Sequence, residues 1–258
     1  MTVSHALKAK RRLSNAPESD AERQVRIDLA ACYRLAALNG WDDLVFTHIS
    51  ARIPGTHDFL INPFGLGFDE ITASSLVRID LDGNIVGDSP YEVNAAGFTI
   101  HSAVHQARPE IGCVMHLHTE AGMALSMMQG GLLPTTQHAM RFYNRVGYHD
   151  YEGIALSLDE RERLISDLGP HKILVLRNHG TLTAGETVAE AYVLMFYLEK
   201  AARAQLAAMA SGDQIILPSN QVAEHTARLF EGDSMAPGAR EWPAQLRRLD
   251  RLDPSYRD

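Results

Sequence analysis

The fold class this sequence predicts is an α/β domain built on a mixed, largely antiparallel sheet. Three observations predict it. Segments with strand-like alternation and segments with helical spacing interleave along the chain. Turn signals join several neighbouring strands directly, which an all-parallel sheet does not allow. No repeat or low-complexity linker divides the 258 residues, so residues 21 to 258 read as one domain ending in a helical tail. A composition of 45% hydrophobic and 22% charged residues is ordinary for a globular chain of this size.

Each element has a local reason. "DAERQVRIDLAACYRLAALNG" puts Val25, Leu29, Cys32, Leu35 or Ala36, and Leu38 near helical spacing, with Gly40 as a stop. "VFTHISARI" and "DFLIN" are strand-like runs around the turn "PGTHD". In "LVRIDLDGNIVG", Asp82-Gly83 between apolar alternations predicts a hairpin. "AAGFTIHSAVHQA" predicts a helix ended by Arg108-Pro109. The strand "GCVMHLH" follows, then a helix in "TEAGMALSMM" that Thr119 can cap. Residues 130 to 157 read as turn-rich. Beyond them come an amphipathic helix in "LSLDERERLISDLG" and two strands around a polar corner in "KILVLRNHGTLTAG". The long "TVAEAYVLMFYLEKAARAQLAAMASG" is apolar on more than one side, which predicts a buried helix. "EWPAQLRRLDRLDPSYRD" predicts a short helix with a polar end.

Charge narrows the function. A net charge of -8 argues against broad nucleic-acid binding, which needs a basic footprint. The one cationic run, "KAKRRL", lies in residues 1 to 20, read as a flexible arm without the apolar region of a signal peptide. No stretch approaches the ~18 apolar residues of a membrane span. Cys32 and Cys113 sit in apolar patterns and suggest no disulfide framework. A cytoplasmic protein acting on a small molecule, with no nucleic-acid or membrane partner, is the expectation.

The chemistry concentrates in "CVMHLHTEAG". Side chains at i and i+2 of a strand share a face, so His116 and His118 can meet one ion if a third ligand arrives. His179 in "VLRNHGTL" stands at a strand end beside a glycine that relieves crowding. Twelve histidines also allow such a trio by accident, so spacing alone leaves the metal reading open.

The stretches "EVNAAGFTIHSAVHQARPEIGCVMHLHTEAG" and "VLRNHGTLTAGETVAEAY" resemble the class II aldolase/adducin family from about residue 25 to 215, with an adducin-like tail beyond. The resemblance implies that His116, His118 and His179 bind one divalent metal per subunit, usually zinc. It also implies a three-layer α/β/α sandwich and a homotetramer with active sites near subunit contacts. Three neutral imidazoles leave the ion its charge and an open position, the pattern of a catalytic site. Such an ion can hold the enolate formed when a neighbouring bond breaks. Imidazole suits iron and manganese too.

The chain departs from the family's sugar-phosphate aldolases. Their carboxylate base falls on Gly97, and the small hydroxyl residues before it on Ala95 and Ala96. Their phosphate corner reads Thr47-His48-Ile49-Ser50, and their Thr-Gly reads Phe64-Gly65. A non-phosphorylated oxo- or hydroxy-acid in a more apolar pocket is therefore expected. Candidate substrate-binding residues are His48, Phe64, Gly65, Ala96, Gly97 and Arg145, with Arg141 as a second cation for a carboxylate. Candidate proton carriers are Glu120, His138 and Tyr143, with His48 beside them. Each has a plainer reading: Glu120 favours a helix dipole, His138 and Tyr143 can pack a loop, and Arg145 can be an exposed loop residue. Glu92 reads as a solvated turn carboxylate. His101 and His105, one helical turn apart, read as core or helix-surface residues.

The expected function is a metal-dependent lyase, by decarboxylation or retro-aldol cleavage. A mononuclear non-haem iron oxygenase can use the same histidines. An adducin-like interaction module is the non-catalytic alternative, suggested by "NPFG", "DLDGN" and "RRLDRLDPSYRD". A scaffold has no need of an open metal site, so actin and spectrin are not expected partners.

Overall fold

The structure is a computed structural model that describes residues 6–7, 9–12, 18–155 and 157–258. In chain order its elements are β1 (Arg11–Arg12), α1 (Asp20–Leu38), β2 (His48–Arg52), β3 (Phe59–Ile61), β4 (Val77–Ile79), β5 (Ile85–Val86) and α2 (Ala95–Ala107). They continue with β6 (Cys113–Leu117), α3 (Glu120–Ser126), α4 (Gln137–Met140), β7 (Val146–His149), α5 (Glu160–Leu168), β8 (Ile173–Leu176) and β9 (Gly180–Gly185). Three helices close the chain: α6 (Val188–Ala210), α7 (Asn220–Glu231) and α8 (Glu241–Leu252).

The strands form one nine-stranded sheet in the order β1-β5-β4-β3-β2-β6-β9-β8-β7. Among the described residues only β1 with β5 and β7 with β8 pair in parallel; the other neighbours are antiparallel. Period-two alternation divides the side chains between two helical layers. Ile49, Ala51, Cys113, Met115 and Leu117 pack with α1, α6 and α8. Val114, Leu174, Leu176, Leu182 and Ala184 pack with Ile100 and Val104 of α2 and with Leu164 and Leu168 of α5. The result is an α/β/α sandwich, with the β2–β6–β9 centre buried from both sides.

Local chemistry sets the boundaries. Ser19 caps α1 by accepting from the Glu22 amide, and Leu29, Cys32, Leu35 and Ala36 turn inward as their spacing predicts. Thr119 caps α3 by accepting from the Gly122 amide. The Asp82-Gly83 turn joins β4 to β5, with Asp80 accepting from the Asp82 and Asn84 amides. The long α6 packs against α1, α3, α4, α8 and the sheet, which explains its apolar sides.

Three features differ from the sequence expectations. The stretch read as turn-rich contains α4 and the strand β7, too short for an alternation signal until β8 supplies a parallel partner. The helix α7 forms where none was expected, capped by Ser219 and with Ala223 and Ala227 as its only buried residues. Within the stretch read as an arm, Arg11–Arg12 pair with Ile85–Val86; residues 1–5, 8 and 13–17 of that stretch lie outside the described residues. Among the described residues no helix is long and apolar enough to cross a membrane.

Candidate metal centre

His116 lies in the middle of the sheet, flanked by β2 and β9, with Leu182 opposite it on β9. His118 stands one residue beyond the end of β6, on the same side. His179 comes from the β8–β9 corner, where Asn178 takes a left-handed φ of 56° that asparagine tolerates. The next residue must be small: a Cβ on Gly180 would fall 2.4 Å from the Leu117 carbonyl oxygen. Strand pairing and a tight corner thus deliver three rings to one point. Their ligand atoms all lie within 4.8 Å of one another.

Hydrogen bonds behind the rings decide what they present. The Nδ1 of His116 faces the Thr181 carbonyl oxygen at 3.1 Å, and the Nδ1 of His118 faces the Asp43 carboxylate at 3.0 Å. Both partners are acceptors, so each Nδ1 carries the hydrogen of a neutral ring and each Nε2 carries a lone pair. Those two Nε2 atoms are 3.1 Å apart. Two lone pairs at that distance repel unless a cation stands with them, so this donor set fits a divalent metal. Burial above all, then its histidine neighbours, pushes the His116 pKa well below the ordinary imidazole value. The same causes bring His179 down to about 4. His116 and His179 are therefore neutral, as ligands must be.

The trio borders a pocket of about 320 Å³. Phe46, Ile100, Ile154 and Ala155 form its apolar wall; Asp43, Asn94 and Tyr151 bring polar groups to it. His48, paired across from His116 on β2, and Ala96 also line it. Gly97 acts through space rather than contact: a Cβ there would lie 2.6 Å from Cδ2 of His48. The His48 imidazole thus fills the volume that a side chain at 97 would need. Thr47 lines the pocket with a left-handed φ of 63°, costly for a β-branched residue, and among the described residues its buried hydroxyl has no partner.

The other expected residues lie elsewhere. Phe64 stands behind Phe46, ring centroids 6.0 Å apart, and Gly65 is exposed beside it. Glu120 is exposed in the first turn of α3 and does not line the pocket. The His138 ring packs on Tyr197 of α6 at 4.9 Å, and Tyr143 is half-buried after α4. Arg145 is held by Glu224 at 2.7 Å and Glu231 at 2.8 Å, in a separate cleft of about 940 Å³. Asp43, Asn94 and Tyr151 were not anticipated. The one signal for them was the loop residue types around the strand ends, where a rigid sheet exposes functional groups.

Residues 27–206 match the family model described as Class II Aldolase and Adducin N-terminal domain. The "Putative aldolase class 2 protein" of Caulobacter vibrioides is 54% identical over 242 residues, 93% of this chain and 94% of the relative. Alpha-adducin of Rattus norvegicus is 42% identical over 90% of this chain, which spans 34% of that longer protein. The solved structure of L-fuculose 1-phosphate aldolase from Glaciozyma antarctica matches with a TM-score of 0.83 at 31% identity, covering 95% of this chain and 96% of that one. The sandwich, the order of its motifs and these matches agree: the chain belongs to the class II aldolase/adducin family.

Proposed function

We propose that this protein is a zinc-dependent carbon–carbon lyase acting on a non-phosphorylated oxo- or hydroxy-acid. The observation that carries the proposal is the convergence of two outward lone pairs and a third imidazole on the wall of a half-apolar pocket. His116, His118 and His179 would hold the ion. When bound, it supplies a Lewis acid for the negative charge that develops beside a substrate carbonyl.

The protein's own groups do the rest. The Asp43 carboxylate orients His118, and the Thr181 carbonyl orients His116. The apolar wall suits the body of a small organic acid. Ala95, Ala96 and Gly97 offer no side-chain donor to a phosphoryl group. The His48 ring denies a carboxylate the room to stand at position 97. Proton transfer falls to Tyr151, at the mouth of the pocket, ahead of Glu120, His138 and Tyr143, which lie outside it in one chain. A homotetramer is part of the same reading.

The test is a screen of aromatic and aliphatic oxo-acids with zinc-loaded protein, following release of carbon dioxide and of aldehyde fragments. The expected result is turnover of at least one acid, lost in His118→Ala, with none of L-fuculose 1-phosphate. Turnover of the sugar phosphate alone would contradict the proposal. Oxygen uptake by iron-loaded protein, without zinc-supported cleavage, would move the assignment to an oxygenase.

A further inference from the structure

Alternation along β2 points Ile49, Ala51 and Ile53 to the α1/α6 layer. His48, Ser50 and Arg52 therefore face α2, where His101 and His105 stand one helical turn apart. The two sets interleave as a continuous hydrogen-bonded chain. Arg52 Nη2 lies 3.5 Å from His105 Nδ1 and also donates to the His105 carbonyl oxygen. His105 Nε2 lies 2.8 Å from Ser50 Oγ, Ser50 Oγ 2.5 Å from His101 Nδ1, and His101 Nε2 3.1 Å from His48 Nδ1. Ser50 and His101 have no exposed surface, and His105 has 1%.

The chain has a direction. Among the described residues no carboxylate bonds to any of the three rings, and all three are buried without a counterion, so each is a neutral ring with one N–H and one lone pair. A guanidinium only donates. With His105 Nδ1, which faces that cation, as the acceptor, the ring's hydrogen stands on Nε2 and is directed to Ser50. The Ser50 hydroxyl passes its own hydrogen to His101 Nδ1. His101 donates from Nε2 to His48 Nδ1, and His48 is left with its hydrogen on Nε2. The Ile111 carbonyl, also near His105, favours the opposite sense; the Arg52 charge that faces Nδ1 favours a lone pair there and opposes it.

We propose that Arg52, acting through His105, Ser50 and His101, fixes His48 in the Nε2–H tautomer, so that the pocket wall offers a hydrogen-bond donor to a carboxylate or carbonyl oxygen of the substrate. The proposal rests on the reading of this pocket as the active site. The His48 ring lines that pocket, 5.4 Å from the His116 ring, and among the described residues its Nε2 has no hydrogen-bond partner. Gly97 leaves it the room. An N–H at this point accepts no proton from the substrate and favours an oxygen that only accepts. Arg52, His105, Ser50 and His101 are positioning residues.

The test is a long-range proton–nitrogen correlation spectrum of zinc-loaded protein labelled with ¹⁵N-histidine, at neutral pH. The expected result is the Nε2–H tautomer for His48, His101 and His105. In Arg52→Met the three become mixed, and Arg52→Lys restores them. A wild-type spectrum with His48 as Nδ1–H overturns the proposal even if neither variant folds, and so does an Arg52→Met spectrum identical to wild type. Oxalate, measured by calorimetry on zinc-loaded protein, probes the donor. His48→Gln, which keeps an N–H, should bind within about threefold of wild type, and His48→Leu about tenfold or more weaker. Equal affinity in His48→Leu overturns the donor role. Failure of the wild type to bind oxalate would sink the active-site reading instead, while the spectrum still decides the tautomer.

Discussion

Two groups of imidazoles lie within a few ångströms of each other on one side of the sheet, and they differ in what stands behind them. In the trio of His116, His118 and His179, the partners behind the first two are acceptors, a backbone carbonyl and a carboxylate, so their lone pairs face outward. In the chain from Arg52 to His48, the group behind is a cation that only donates, so an N–H faces outward. The rings are chemically identical. The neighbour at the far nitrogen decides whether an imidazole becomes a ligand for a cation or a donor to an anion.

The largest effect that can break this comparison comes from acid. Burial, then the charge on Arg52, holds His105 down to about 3, and burial holds His101 well below 6.5. Above pH 6.5 both are neutral folded or unfolded, and they contribute nothing to pH dependence. Below it the unfolded chain takes up protons that the folded chain refuses, so stability falls as pH falls. Each ring costs about 1.4 kcal/mol per pH unit. Between pH 6.5 and 4.5 His105 alone should cost about 2–3 kcal/mol, with His101 adding in the same direction, read from urea midpoints. A stability independent of pH over that range would show that the rings are charged in the folded state.

A smaller effect isolates the seat of His48. Gly97→Ala puts a methyl group 2.6 Å from the ring and should cost about 1–3 kcal/mol in urea denaturation. It should also broaden or shift the His48 resonances and leave those of His105 in place. An unchanged midpoint would mean that the ring has room to move. The smallest effect sharpens the other side of the comparison. Asp43→Ala removes the acceptor behind His118 and should weaken zinc binding about 10- to 100-fold, measured by competition with a chelator, without unfolding the protein.

The sequence carried much of this, for definite reasons. Period-two runs with turn signals marked β2, β3, β4, β6, β8 and β9, and helical spacing with caps marked α1, α2, α3, α5, α6 and α8. What escaped was short or nearly featureless. Strand β7 needs its partner to be recognised, and α7 buries only two alanines. At the site, His-x-His exposes its own geometry because i and i+2 share a face. Asp43 and Tyr151 come from loops whose approach no local pattern encodes. The glycine at 97 was legible as a lost side chain. That His48 fills the space depends on how β2 lies against α2, a tertiary fact.

The central claim is that three imidazoles close on one cation, and zinc stoichiometry tests it most directly. Purified wild-type protein dialysed against limiting zinc should hold one ion per chain. His116→Ala and His179→Ala, confirmed as folded, should each lose affinity by more than the roughly hundredfold ceiling of outer-shell changes. Retention of one ion per chain in both variants at wild-type affinity would contradict the account.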